Sequence, residues 1–112
     1  MNAEKWQVLV NNLGDAVSEI VSSYLEDTPI RIDEMRRSLA AMDFDVIGRL
    51  AHSLKSSSGI FGAQRMVDMC KDLELAANNQ GADCAYRLDM VSSAFDELAG
   101  ELKRRLAELD HS

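Results

Sequence analysis

Apolar side chains recur at intervals of three and four residues along nearly the whole chain, and this spacing constrains the fold more than any other feature. The longest such stripe, within a predicted helix over 83–109, consists of Leu88, Val91, Phe95, Leu98, Leu102 and Leu106. Residues at this spacing share one face of an α-helix. Such a face needs other helices to cover it, because an isolated amphipathic helix is only marginally stable in water. The pattern therefore predicts an all-α fold.

Four further helices are predicted by the same spacing. They span residues 3–12, 15–40, 44–60 and 64–78. Pro29 is expected to bend the second of these, because its ring clashes with the carbonyl four residues earlier; two shorter helices are the alternative. Gly14 and Asp15 are expected to break the first helix and cap the second, and Asp43 to cap the third. Four long helices with short connections indicate an antiparallel up-down four-helix bundle, with the short N-terminal helix as a cap.

Composition narrows the classes of function. The chain has 112 residues, for which a single domain over 1–112 is predicted, and its formal net charge is −7. A field of that sign repels nucleic acid and anionic membranes. Two cysteines do not make a disulfide framework and indicate a reduced, cytoplasmic setting. No signal peptide or membrane-spanning run is recognised.

The segment AHSLKSSSGIFGA, residues 51–63, differs from the helices around it because it surrounds a histidine with small residues. On a helix, His52 falls about 130° from the centre of the apolar stripe, so it is expected to face solvent. Its neighbours on that face are Gly48, Arg49, Lys55, Ser56 and Gly59. Each glycine destabilises a helix interior by about 1 kcal/mol relative to alanine. Their presence favours a site where something bulky approaches the imidazole.

This neighbourhood suits a nucleophilic histidine. A near-neutral imidazole is a competent nucleophile at cellular pH. Arg49 and Lys55 can offset negative charge that arrives on His52, and the hydroxyl of Ser56 can donate a hydrogen bond. The surroundings therefore suit a transferable anion such as a phosphoryl group. The alternative is an ordinary surface histidine, with Gly48 serving close packing of helices.

Residues 52–74 closely resemble the signature of the histidine-containing phosphotransfer (HPt) family. The residues that match, without a gap, are His52, Leu54, Lys55, Ser57, Ser58, Gly62, Ala63, Met66, Cys70, Leu73 and Glu74. One position departs from the pattern, since Ser56 stands where the family usually has glycine. Serine is small enough to keep the imidazole accessible, and it either slows docking of a partner or offers the phosphate an extra donor.

The resemblance implies that His52 accepts a phosphoryl group and passes it to or from an aspartate of a response-regulator receiver domain. Lys55 would lie beside the phosphate, Gly59 would keep the imidazole accessible, and Glu74 would lie near the imidazole from the next helix. The implied partners are a receiver domain and a hybrid sensor histidine kinase. The module would act as a cytoplasmic monomer, or as the cytoplasmic part of a membrane-bound sensor kinase. It would carry no cofactor or metal of its own, with Mg²⁺ on the receiver.

Two other functions remain open at this point. One is a phosphate-independent helical adaptor, and the other is the phosphoacceptor domain of a chemotaxis-type histidine kinase. No P-loop or glycine-rich nucleotide loop is present, so phosphorylation from ATP by the chain itself is not expected. Metal binding would need more ligands than Cys70, Cys84 and His111 provide.

Docking of a receiver is expected on an apolar patch beside His52. The first helix and the exposed rims of the second and third helices are the candidates. Trp6 has two interpretations, because a tryptophan can close the end of a bundle as a core anchor or can serve on a docking surface.

Overall fold

Five helices make up residues 1–110, the part of the chain that the computed structural model describes. They are α1 (Ala3–Leu13), α2 (Ala16–Ala40), α3 (Phe44–Gly59), α4 (Gln64–Asn78) and α5 (Cys84–Asp110). No strand occurs in this part of the chain. The prediction of an all-α fold is confirmed, and each predicted helix end agrees with the structure to within one residue. His111, considered above as a metal ligand, lies outside the described residues.

Short polar side chains begin two of the helices. The Asn2 side chain accepts the backbone N–H of Lys5 at 3.0 Å, and the Asp43 side chain accepts that of Val46 at 3.4 Å. Asp15 precedes α2, but its side chain makes no capping hydrogen bond. Its backbone is already helical (φ −64°, ψ −22°), whereas a capping residue is extended so that its side chain can turn back to the first N–H groups. The predicted cap at Asp15 is therefore wrong.

Helix α2 continues through Pro29 as a single helix, so the alternative of two shorter helices is wrong. The proline itself is exposed, while Thr28 and Ile32 beside it are buried in the bundle. Pro29 cannot donate a backbone hydrogen bond. The packing of Thr28 and Ile32 in the core stabilises the helix on both sides of the proline, so the helix is not interrupted there.

The four long helices form a closed ring of neighbours, in which α2 packs on α3, α3 on α4, α4 on α5 and α5 on α2. This is the predicted up-down four-helix bundle, and its extents are 47 × 21 × 19 Å. The core is apolar, and its largest fully buried side chains include Phe61, Met35, Ile47, Leu54 and Met66. None of the helices in residues 1–110 is long and apolar enough to cross a membrane.

Helix α1 covers one end of the bundle. It packs against α2, and the backbone N–H of Asn2 donates to the carbonyl of Gly62 in the α3–α4 turn at 3.0 Å. Trp6 is only 5% exposed and belongs to the core. Since its indole is out of reach of a partner, the interpretation of Trp6 as a docking residue is wrong. Closing the bundle end is its role.

Candidate functional site

His52 lies near the middle of α3, with its side chain 61% exposed. Its neighbours Ala51 and Leu54 are buried, so the apolar stripe of α3 faces the core and turns the imidazole outward. The expected solvent-facing position of His52 is therefore confirmed.

Glu74 on α4 contacts the imidazole of His52 on the side that faces the neighbouring helix. Its Oε2 atom lies 2.7 Å from Nδ1 of His52, and its Oε1 atom accepts a hydrogen bond of 2.9 Å from Nζ of Lys55. His52 and Lys55 lie one turn apart on α3, so one carboxylate from the neighbouring helix contacts both side chains. The structure thus brings together three of the five predicted site residues.

The contact with Glu74 determines which ring nitrogen of His52 is reactive. An ionised carboxylate only accepts hydrogen bonds, so the proton of the neutral imidazole must be on Nδ1. The lone pair is then on Nε2, on the opposite side of the ring from Glu74. The exposed ring therefore presents a nucleophilic nitrogen to solvent.

Glu74 is held in its ionised form. The hydrogen bond from Lys55, supported by the one from His52, lowers the pKa of Glu74 below its usual value, although partial burial acts in the opposite direction. The carboxylate that orients His52 is consequently charged at neutral pH.

A cleft of about 530 Å³ lies beside His52, between α3 and α4. Its walls are formed by Asp45, Gly48, Arg49, His52, Glu74 and Asn78. Gly48 is buried, and a Cβ atom there would lie 3.3 Å from Oδ1 of Asn78. Gly48 therefore permits the close approach of α3 and α4, in agreement with the alternative that it serves close packing of helices.

Ser56 and Gly59 lie further from the reactive ring. Ser56 is exposed on the next turn of α3, and within residues 1–110 its hydroxyl makes no hydrogen bond. Gly59 lies outside the cleft of His52 and lines a groove between α1 and α3 together with Val8 and Ile60. Gly59 lies two turns from His52 on α3, and its role in keeping the imidazole accessible stays a prediction.

One basic side chain near the site was not predicted. Nη1 of Arg31 on α2 donates a hydrogen bond of 2.5 Å to Oγ of Ser53, the residue that follows His52. The spacing within α3 carries no signal for this contact, because it depends on how α2 packs on α3.

Among residues 1–110, no three His, Cys, Asp or Glu side chains are grouped closely enough to hold a metal ion. Cys70 and Cys84 are buried free thiols, and burial raises the pKa of Cys70 to about 12. A thiol that stays protonated is a poor metal ligand.

The bundle and the site together define a helical module that exposes an imidazole backed by a carboxylate. A model of the Hpt domain family matches residues 19–112. Since the match covers most of the chain, this protein belongs to the Hpt domain family.

Known relatives agree with this assignment. The chain is 32% identical over 95 residues to histidine-containing phosphotransfer protein 1 of Oryza sativa subsp. japonica, with 82% of this chain and 65% of the relative covered. It is 34% identical over 95 residues to histidine-containing phosphotransfer protein 2 of Arabidopsis thaliana, with 80% and 60% covered. The chain thus spans less than two thirds of the length of these plant relatives.

The same fold is found in a solved structure from a bacterium. Histidine-containing phosphotransfer protein B of Pseudomonas aeruginosa PAO1 superposes with a TM-score of 0.91 at 19% identity. The superposition covers 100% of this chain and 96% of that one. At this level of identity, the likeness concerns the fold.

Proposed function

We propose that this chain is a phosphotransfer module, which accepts a phosphoryl group on Nε2 of His52 and exchanges it with an aspartate of a response-regulator receiver domain. The observation that carries the proposal is the 2.7 Å contact between Nδ1 of His52 and Oε2 of Glu74 on an exposed ring. An adaptor has no need of a carboxylate that selects one tautomer of a solvent-facing histidine.

The transfer needs no proton from solvent. The lone pair on Nε2 attacks the phosphorus of the receiver's aspartyl phosphate, an N–P bond forms, and the O–P bond breaks. The aspartate leaves as a carboxylate, and the ring, still protonated on Nδ1, becomes a cation. The Glu74 carboxylate lies against that cation and stabilises it. The reverse reaction returns the group to the receiver.

Lys55 supplies positive charge beside the incoming phosphoryl group, and its Nζ atom is held by Oε1 of Glu74. Phosphoryl transfer depends on positioning and charge stabilisation rather than on covalent help from the protein. The proposal places the Mg²⁺ on the receiver. It also includes the other predicted circumstances, namely a hybrid sensor kinase as the upstream partner, a monomeric module and a cytoplasmic location.

The test is transfer of ³²P from a phosphorylated receiver domain to the full chain. Wild type is compared with His52→Gln, and His111→Gln serves as the matched control because the chain has only two histidines. We expect wild type and His111→Gln to carry an acid-labile, base-stable label, as a phosphoramidate does, and His52→Gln to carry none.

Two results would overturn the proposal. If no receiver in a broad panel labels folded wild type, the adaptor function is favoured. If a histidine kinase labels His52 and no receiver exchanges the group, the chain is a kinase phosphoacceptor domain instead.

A further inference from the structure

Arg31 on α2 is a basic residue that contacts α3 beside the position of His52. Its Nη1 atom donates a hydrogen bond of 2.5 Å to Oγ of Ser53, and Ser53 directly follows His52 on α3. The guanidinium is thereby held on the α2 side of α3.

The geometry of α3 places Arg31 and Lys55 on opposite sides of His52. At about 100° per residue, Ser53 is rotated about 100° from His52 in one direction, and Lys55 about 60° in the other. Lys55 is bound to Glu74 on α4, and Arg31 is bound to Ser53 from α2. The position of His52 on α3 therefore lies between the two positions that hold these cations.

Lys55 and Arg31 differ in whether a carboxylate pairs with them. Lys55 forms an ion pair with Glu74 at 2.9 Å. No carboxylate within residues 1–110 forms an ion pair with Arg31, and its hydrogen-bond partner is a neutral hydroxyl. Arg31 is half-buried at a cleft of about 190 Å³ between α2 and α3, which apolar side chains such as Leu54 and Phe61 also line. Within the described part of the chain, Arg31 therefore makes no close ion pair, with Asp27 one turn earlier on α2 lining the same cleft, and its charge is partly shielded from water.

We propose that Arg31 is a docking residue of the phosphotransfer reaction, which binds the anionic oxygens that a receiver domain brings to His52. This inference rests on the proposed function. The shared chemistry is a group of anionic oxygens, belonging either to the phosphoryl group in transfer or to a carboxylate of the receiver. Arginine suits this role because its planar guanidinium binds phosphate or carboxylate with two hydrogen bonds. Ser53 holds the guanidinium in place, which limits the entropy lost on docking.

The principal experiment measures kcat/KM for transfer from a phosphorylated receiver to Arg31→Gln as a function of salt. The matched control is Arg36→Gln, since Arg36 lies on the same helix but pairs with Asp89 of α5 at 3.0 Å. Both variants remove one positive charge, so the comparison isolates its position. We expect transfer to Arg31→Gln to be about fivefold to tenfold slower at low salt and less salt-dependent, with Arg36→Gln close to wild type. Arg31→Lys should recover part of the loss.

A second arm distinguishes the two sources of anionic oxygens. In phosphoramidate the P–N bond breaks, ammonia leaves and a P–Nε2 bond forms on His52 without any receiver. Slower labelling of Arg31→Gln by phosphoramidate indicates that Arg31 binds the phosphoryl group. Unchanged labelling, together with slower transfer from the receiver, assigns the contact to a receiver carboxylate.

The outcomes also separate this inference from the proposed function. Absence of label on wild type from every receiver defeats both. Normal labelling of wild type, with equal rates and equal salt dependence for Arg31→Gln and Arg36→Gln, overturns the role of Arg31 alone. Thermal unfolding of each variant checks the fold. If Arg31→Gln is unfolded, Arg31→Met, which is also neutral but keeps the apolar stem, gives the answer, since a wild-type rate in this variant would contradict the inference.

Discussion

The Nδ1 atom of His52 lies 2.7 Å from Oε2 of Glu74, a residue 22 positions away on the neighbouring helix. The other oxygen of this carboxylate is bound to Lys55. One ionised side chain thus selects the tautomer of the histidine and holds a cation at the edge of the site. The reactivity of His52 is therefore tied to the packing of α3 against α4.

Glu74→Gln is expected to slow phosphotransfer. A glutamine amide can donate to Nδ1, which would place the proton on Nε2 and remove the nucleophilic lone pair. We expect a rate about 10- to 100-fold lower, by analogy with the loss of carboxylates that orient metal-binding histidines. The measurement is single-turnover transfer from a phosphorylated receiver. Glu97→Gln is the control, because Glu97 pairs with Arg65 on the surface between α4 and α5. Equal rates for the two variants would refute the role of Glu74.

Lys55→Gln is expected to raise the pKa of Glu74 towards its usual value of 4.5, because the hydrogen bond from Lys55 is the main cause of its lowering. A lowered carboxyl pKa contributes stability that is present above pH 4.5 and is lost as pH falls through the lowered pKa. In the variant, protonation of Glu74 therefore begins at higher pH. NMR titration of the Glu74 carboxyl carbon checks this, with Lys103→Gln as a control on α5. A midpoint unchanged by Lys55→Gln would contradict the prediction.

Gly81→Ala is expected to destabilise the fold strongly. A Cβ atom there would lie 2.2 Å from the Phe44 ring, and the backbone has a φ of +83°. Overpacking and the left-handed conformation together predict a loss of about 2–4 kcal/mol in the free energy of unfolding.

Gly100→Ala is the matched control for this substitution. Gly100 lies within α5, and the nearest atom to an added Cβ, Nη1 of Arg104, is 3.8 Å away. Alanine should therefore stabilise the helix by up to about 1 kcal/mol. Urea unfolding measures both variants, and a similar stability for Gly81→Ala and Gly100→Ala would contradict the packing described here.

Tyr24→Phe is expected to lower the free energy of unfolding at pH 7 by about 1–2 kcal/mol, because it leaves the Ser58 hydroxyl buried without its partner. The two hydroxyls share a hydrogen bond of 2.6 Å between α2 and α3. Tyr86→Phe is the control, since Tyr86 is 59% exposed and its loss should change stability little. Chemical denaturation of the two variants provides the comparison, and equal stabilities would argue against the buried hydrogen bond.

The same tyrosine makes the fold sensitive to alkaline pH. Burial raises the pKa of Tyr24 from 10.0 to about 12. A raised pKa contributes stability that is complete below pH 10 and is lost as pH rises towards 12. Wild type should thus lose stability in this range, and Tyr24→Phe should lose less of it. Burial also raises the pKa of Cys70 to about 12, so ionisation of this thiol lowers the free energy of unfolding at alkaline pH as well. If the free energy of unfolding of Tyr24→Phe still falls with pH, the double variant with Cys70→Ala shows how much of the fall is due to Cys70. If the free energy of unfolding of the double variant falls with pH as steeply as that of wild type, both assignments are contradicted.

Helix positions were predictable from the sequence because their cause is local. Apolar spacing identified all five helices, and it placed His52 on the outer face of α3. Caps were less certain, since the side chain of Asp43 caps its helix and that of Asp15 does not. The difference lies in backbone angles, which a residue type does not specify.

Trp6 and Gly48 show what local pattern leaves open. Trp6 suited either a core or a docking surface, and only the packing of α1 on the bundle buries it. Gly48 suited either access to His52 or close packing, and an added Cβ atom that would lie only 3.3 Å from Oδ1 of Asn78 shows the packing role. Both depend on residues from other helices.

The sequence by itself determined the helices, their buried stripes, the exposed histidine and the family to which its signature belongs. The resemblance also placed Glu74 near the imidazole. Only the tertiary structure decided that Glu74 contacts Nδ1 of His52 and Lys55 at once, and that Arg31 reaches Ser53 from α2. The physical reason is the distance along the chain over which each feature is determined. Helix periodicity depends on residues within one segment. A hydrogen bond between two helices depends on how those helices pack, which must place the donor and acceptor atoms within fractions of an ångström.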